Sequence, residues 1–202
     1  MYRIFPSPKH CTFYHNTLSC TSYGAVTTAP EHEESCRAAG FDPAALLAAV
    51  FPGGFSPEGI TLTAEYVSCA PEGFQLNIAP SGIRISCGDG AGFFYALGVL
   101  VQLAAQADGA LPCAEIADEP ALSVRGIMLD IGRDKIPSME ILRGLIDLFA
   151  AMRINHLQMY MEGFSFDYED LHYLFTNETP MTPAEFRDLS LNARAHYIYP
   201  AP

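Results

Sequence analysis

The stretch 125–162 constrains the fold more than any other part of the chain. It begins RGIMLDIGRDKIP and ends INHLQMYME. Residues 124–131 are apolar except for Arg125 and Asp130. Residues 154–161 form a second apolar run, with Asn155, His156, Gln158 and Tyr160 among its members. Between them, Ser138 precedes Ile141, Leu142, Leu145, Ile146, Leu148, Phe149 and Met152. That spacing predicts a helix, with Ser138 as its cap. Strand, helix and strand in this order make a βαβ unit. Its two strands run parallel, because the crossover returns the chain to the end from which it started. In parallel α/β folds, ligands bind at the carboxyl ends of strands. Asp130, Arg133 and Asp134 stand where the first strand ends, and Glu162 stands where the second ends. The sequence therefore points to a site at those positions.

The chain before residue 124 has a different rhythm. Residues 2–21 mix apolar and polar groups with proline and read as an irregular strand pair. Residues 29–38 are polar and acidic and read as a surface loop or short helix. A helix is expected over 43–51, where proline opens an Ala- and Leu-rich run. Residues 59–67 alternate as a half-buried strand, and 74–79 and 83–87 are two more, joined by a Pro80-Ser81-Gly82 turn. Residues 90–106 carry one broad apolar face and predict a helix. The expected result is an antiparallel sheet with helices on one face, ending near residues 111–112. Residues 116–121 are the expected linker. After 161 comes a polar-aromatic loop, 162–180. Thr182, Pro183 and Glu185 then spell a capping box that opens a second helix. Residues 197–201 read as a third strand.

The chain has 202 residues, half of them hydrophobic, which is enough for a sizeable core. Its net charge of −12 argues against nucleic acid and anionic membrane surfaces as partners. No apolar run approaches the roughly 20 residues of a membrane span. No secretory leader is recognisable in residues 2–10, which Pro6 and Pro8 interrupt. Cys11, Cys20, Cys36, Cys69, Cys87 and Cys113 are scattered without C-x-x-C spacing, so free buried thiols and a cytoplasmic location are the expectation.

Two segments together carry a family resemblance. One is RG-x-MLD-x-x-R with a short gap to Pro137, an apolar helix and NHL. The other is the upstream GIRISCGDGAGFFYALGVLVQL followed by LPCAEIADEPALSVRG. The pair resembles family 20 glycoside hydrolases, the β-N-acetylhexosaminidases, over the end of their small α+β domain and the first segment of their catalytic barrel. The likeness is good over 73–155 and fades after Tyr160. It implies an α+β domain over 1–118 and the start of a (β/α)8 TIM barrel over 119–202, truncated after about three strands. A strand edge left open in this way invites self-association. The implied activity is removal of terminal β-linked N-acetylhexosamine from glycans, with no cofactor and no metal. In the family the substrate's own acetamide attacks the anomeric carbon, an Asp orients it, and an adjacent Glu is the general acid. That Asp-Glu pair follows the fourth barrel strand. Asp118-Glu119 does not match it, so no catalytic residue is expected within this sequence.

Arg133 is the leading candidate for substrate binding. A guanidinium fork suits two vicinal hydroxyls or a carboxylate, and the resemblance implies that it holds hydroxyls of the terminal sugar. The plain alternative is an ion pair with Asp130 or Asp134 that only fixes the strand end. Asp130 is expected to orient Arg133, a structural role at the site. Glu162 is a candidate hydroxyl acceptor, or else an exposed loop charge. Here the sequence departs from the family, most of whose members carry a DDQGW-like run after this strand, whereas this chain has Glu162-Gly163-Phe164-Ser165-Phe166. Arg125, at the amino end of its strand, and His156, on an apolar run, read as structural. Asp167, Glu169 and Asp170 lack the spacing of a calcium loop. The Gly88–Gly92 turn lacks the Lys-Ser/Thr ending of a phosphate loop. A competing reading of the whole is a non-catalytic carbohydrate-binding or interaction module.

Overall fold

The computed structural model describes residues 2–133, 135–174 and 179–201. It divides into two compact units, Met1–Ser123 and Val124–Pro202.

The first unit is built on a six-stranded sheet. Its strands are β1 (His10–Ser19), β2 (Tyr23–Thr28), β3 (Ile60–Tyr66), β4 (Phe74–Ala79), β5 (Gly82–Cys87) and β6 (Ala110–Asp118), in the spatial order β1-β6-β4-β5-β3-β2. The sheet is mixed, which corrects the expectation of an antiparallel one. β2 pairs parallel with β3, and β3 parallel with β5. The reason lies in the connections. Between β2 and β3 the chain passes through helices α1 (Pro30–Ala39) and α2 (Ala44–Val50), a crossover that brings β3 back in the direction of β2. The tight turn at Pro80-Ser81 makes β4 and β5 an antiparallel hairpin.

Residues 2–21 do not form a strand pair either. One long strand, β1, lies at the sheet edge and pairs with β6 through an irregularity between Phe13 and Thr17. The expected linker begins inside the sheet. Ile116 is buried in β6, which pairs with β1 on one side and β4 on the other.

Helix α3 (Gly90–Gln106) packs on this sheet and is buried along most of its length. Its start is fixed by Asp89, whose Oδ1 accepts from Gly92 N at 2.8 Å and whose Oδ2 accepts from Glu72 N at 2.7 Å. A Cβ on Gly92 would lie 2.3 Å from the Gly73 carbonyl oxygen. The glycine-rich turn thus lets α3 approach the strands closely, as a packing device. Leu62, Leu76, Ile78, Ile85 and Ile116 face the helices and are almost fully buried.

The second unit is a three-stranded parallel sheet, β7 (Gly126–Asp130), β8 (His156–Tyr160) and β9 (Tyr199–Ala201), in that order. Helix α4 (Met139–Ala151) joins β7 to β8, and α5 (Pro183–Ala195) lies between β8 and β9. Ser138 caps α4 through Ile141 N, and Thr182 and Glu185 form the reciprocal capping box of α5. Leu142, Ile146 and Phe149 bury one face of α4, and Leu157, Met159, Leu189 and Ile198 complete the core. Because Leu157 and Met159 point inward, the alternation of a strand sends Gln158 and Tyr160 to the opposite face.

Among the described residues, no helix is long and apolar enough to cross a membrane. All six cysteines are unbridged.

Candidate functional site

Asp130 and Tyr160 are the last residues of β7 and β8, and they lie opposite each other in the parallel register. The backbone continues the pairing one step further, with Ile131 N donating to Tyr160 O at 3.1 Å. The chain then turns sharply at Gly132, whose N–H donates to Asp130 Oδ1 at 2.9 Å. That turn brings Arg133 back over the strand ends.

There the side chains converge. Arg133 donates from both Nε and a terminal nitrogen to Asp130 Oδ2. Its Nε lies 3.8 Å from Glu162 Oε1, and its Cζ lies 5.5 Å from the Tyr160 ring centroid, within reach of a cation–π contact. The Tyr160 hydroxyl donates to Glu162 Oε2 at 2.7 Å. The Arg133 side chain is 64 % exposed and that of Glu162 is 44 % exposed, so the cluster remains open to a ligand.

The electrostatics follow from these contacts. The Gly132 N–H, joined by Arg133, holds the Asp130 carboxyl below its ordinary range. Hydrogen bonding to Asp130, and that carboxylate's charge, push the Arg133 guanidinium up. Tyr160 is pushed up chiefly by its hydrogen bond to the Glu162 carboxylate. At neutral pH Asp130 is therefore a carboxylate, Arg133 a guanidinium cation and Tyr160 a neutral phenol. Arg133 keeps donors to spare and Glu162 keeps acceptor capacity. A pair of neighbouring hydroxyls, each of which donates and accepts, suits such a set.

A cavity of about 610 Å3 opens beside the cluster, within the range of roughly 300–1,000 Å3 typical of small-ligand sites. Gly132, Arg133 and Lys135 line one side, and Phe164, Ser165 and Met181 the other. Ser165 is 4 % exposed, and its Oγ has no hydrogen-bond partner among the described residues.

The structure brings Asp130, Arg133 and Glu162 together. Asp134 lies outside the described residues. Arg125 is occupied elsewhere: its Nε donates to Arg153 O at 2.7 Å, and its N–H donates to Asn155 Oδ1 at 2.8 Å. His156 is half-buried at the start of β8, opposite Gly126 and away from the strand ends. The loop after Glu162 is tied back by an Asp167 N to Met181 O bond of 2.9 Å, and the Phe166 ring packs near Tyr168 and Phe186. Residues Glu169–Leu174 form a 3₁₀ turn, and Asp170 is exposed. No group of three or more His, Cys, Asp or Glu able to hold a metal occurs among the described residues.

Sequence reasoning missed Tyr160 and Gly132. The signal for Tyr160 was present, since its parity with Gln158 against buried Leu157 and Met159 sends it outward at a strand end.

Comparison with known proteins adds the following. The model of glycosyl hydrolase family 20, domain 2, matches residues 1–119. A β-hexosaminidase of Akkermansia muciniphila is 31% identical over 93 residues, covering 45% of this chain and 19% of that protein. An N,N'-diacetylchitobiase of Vibrio harveyi is 32% identical over 89 residues, covering 44% of this chain and 10% of that protein.

Among solved structures, a β-N-acetylhexosaminidase from Bacteroides fragilis superposes with a TM-score of 0.78 at 19% identity, covering 98% of this chain and 44% of that one. A Vibrio harveyi exo-β-N-acetylglucosaminidase in complex with N-acetylglucosamine gives 0.77 at 21% identity, covering 96% and 35%. These structural likenesses show a shared fold. The matched stretches cover less than a fifth of the length of these two curated relatives.

Proposed function

The chain belongs to glycosyl hydrolase family 20, and from that premise we propose that it forms the leading part of a β-N-acetylhexosaminidase. In this reading the first unit is the non-catalytic domain, and β7, α4, β8, α5 and β9 open the catalytic barrel. The enzyme removes terminal β-linked N-acetylhexosamine from glycans by the substrate-assisted, retaining route. The observation that carries the reading is Arg133, held by Asp130 beside Glu162 at the carboxyl ends of two parallel strands.

Within that enzyme these residues bind and orient the sugar. Asp130 holds the guanidinium fork in place, so less freedom is lost when the fork closes on two vicinal hydroxyls. Glu162 accepts from one of them. The Tyr160 hydroxyl keeps Glu162 aimed at the strand ends. The reaction gains because a sugar fixed in this way presents its own acetamide to the anomeric carbon in a reactive geometry. Protonation of the leaving oxygen and support of the acetamide require an Asp-Glu pair. Asp118-Glu119 belongs to the first unit, where Glu119 pairs with Lys9 at 2.9 Å, so neither serves here. We assign that pair to sequence after β9. The open edge of β7, with Met128 58% exposed on it, is where further strands of a barrel or a second copy would add.

The test is a release assay on the purified 202-residue chain with an aryl N-acetyl-β-glucosaminide. No turnover above background is expected, because general acid catalysis typically contributes about 10²–10⁴-fold. Turnover abolished by Glu162→Gln would place the catalytic carboxylate in the loop after β8 and overturn this assignment.

A further inference from the structure

We propose that the outward face of the six-stranded sheet is a second carbohydrate surface, taking a neutral, hydroxyl-rich oligosaccharide across its strands. The helices cover one face of this sheet. The other face carries two rows of polar side chains in register. Thr63, Arg84, Asn77, Glu115 and Thr12 stand side by side on β3, β5, β4, β6 and β1. One step along, Glu65, Ser86, Gln75 and His10 form the second row, with Ala117 between the last two. Neighbouring strands lie about 4.8 Å apart, so each row offers a regular ladder of hydrogen-bonding groups.

The face is concave. A hollow of about 670 Å3 covers both rows. A smaller one of about 230 Å3 shares His10, Gln75, Ser86 and Ala117 with it, so the two run together as one trough. The floor is low because Thr12, Thr61, Thr63 and Ser86 are short. A sheet face that needed only solubility would be served by long charged side chains, and the larger hollow has no lysine in its lining.

The chemistry selects the ligand. Asn77 and Gln75 both donate and accept, as hydroxyls do, whereas Arg84 only donates and Glu115 only accepts. A sugar hydroxyl needs a donor and an acceptor together. Arg84 lies 3.6 Å from Glu65, so a phosphate or sulfate approaching it would also meet a carboxylate. No large apolar side chain projects from either row, which leaves nothing for an amphipathic helix or a lipid. At the rim, Tyr14 is 48% exposed and stands near enough to Glu115 for that carboxylate to push its phenol up. Such a ring supplies the apolar surface on which a sugar face stacks.

The experiment is a titration of the ¹⁵N-labelled 202-residue chain with a β-1,4-linked N-acetylglucosamine tetramer, followed by NMR. The choice of that sugar rests on the hydrolase reading. Amide shifts over β4, β5 and β6 are expected, and Arg133→Ala should leave them intact. Asn77→Ala and Arg84→Ala alter exposed side chains, and circular dichroism verifies their folding. Each should weaken the sheet-face binding by about five- to tenfold. Shifts confined to the Arg133 and Glu162 region would overturn this surface and leave the hydrolase reading standing. Shifts confined to the sheet would support the surface and count against that reading. Sheet-face shifts that both variants leave unchanged would also overturn it.

Discussion

Gly132 and Glu162 are packed so tightly that a Cβ placed on Gly132 would lie 2.7 Å from Glu162 Cγ and 2.8 Å from the Glu162 backbone nitrogen. This contact sets the geometry of the site. It holds the turn after β7 against the residue that follows β8, and so places the Arg133 fork beside the Glu162 carboxylate. The constraint is one of space: the obstructing atoms include backbone, which cannot rotate aside as a side-chain tip can.

Gly132→Ala should therefore move the two strand ends apart. Overpacking of this kind costs on the order of 1–3 kcal/mol, seen as a lower Tm in thermal unfolding. The same variant should loosen the Tyr160–Glu162 hydrogen bond. An unchanged Tm together with an unchanged Tyr160 titration would show that the loop yields freely.

The pH behaviour of the cluster has a definite sign. Asp130 is depressed by the Gly132 N–H first and by Arg133 after it. Its contribution is thus present above the ordinary value of 3.8 and is lost as pH falls through the lowered value. Tyr160 is raised by Glu162, so its contribution is present below the ordinary 10.0 and is lost as pH rises through the raised value. The cluster is intact across the neutral range between these limits. NMR titration of the Asp130 carboxyl carbon and the Tyr160 ring carbon bearing oxygen checks this. The Asp130 midpoint should fall below 3.8 and the Tyr160 midpoint above 10.0, with Glu162→Gln bringing Tyr160 back down. An Asp130 midpoint at or above 3.8 would contradict the contacts described.

Thr182→Ala removes the α5 capping box, in which Glu185 Oε2 accepts from Thr182 N at 2.8 Å and Thr182 Oγ1 accepts from Glu185 N at 3.2 Å. Losing such a cap costs about 0.5–2 kcal/mol. Chemical denaturation should show the loss in the second unit, and Thr182→Ser should recover most of it. Equal stability of Thr182→Ala and the parent chain would mean that packing alone holds α5.

That capping box was legible in the sequence because it is local: two residues three apart, Thr182 and Glu185, supply every partner. The βαβ core was legible for a similar reason, since Leu142, Ile146 and Phe149 repeat at the period of a helix between two apolar runs. What escaped was non-local. Nothing near β2 says that it will pair parallel with β3, because that follows from where α1 and α2 return the chain. Ile116 read as linker because Asp118, Glu119 and Pro120 follow closely, yet it lies in a strand flanked on both sides. At the site, charge and strand ends identified Asp130, Arg133 and Glu162. Gly132 stayed hidden because a glycine's role in close approach is visible only once its neighbour across the fold is known.

The account turns on Arg133 as the group that holds the hydroxyls of a terminal N-acetylhexosamine. The direct measurement is a titration of the chain with N-acetylglucosamine, following the Arg133 Nε–H and the Tyr160 ring by NMR. Both should shift, together with the Glu162 amide. Arg133→Ala should weaken this binding about tenfold or more, and Arg133→Lys should not restore it, since the charge returns but the fork does not. Sugar-dependent shifts around Tyr160 and Glu162 that persist unchanged in Arg133→Ala would contradict the account.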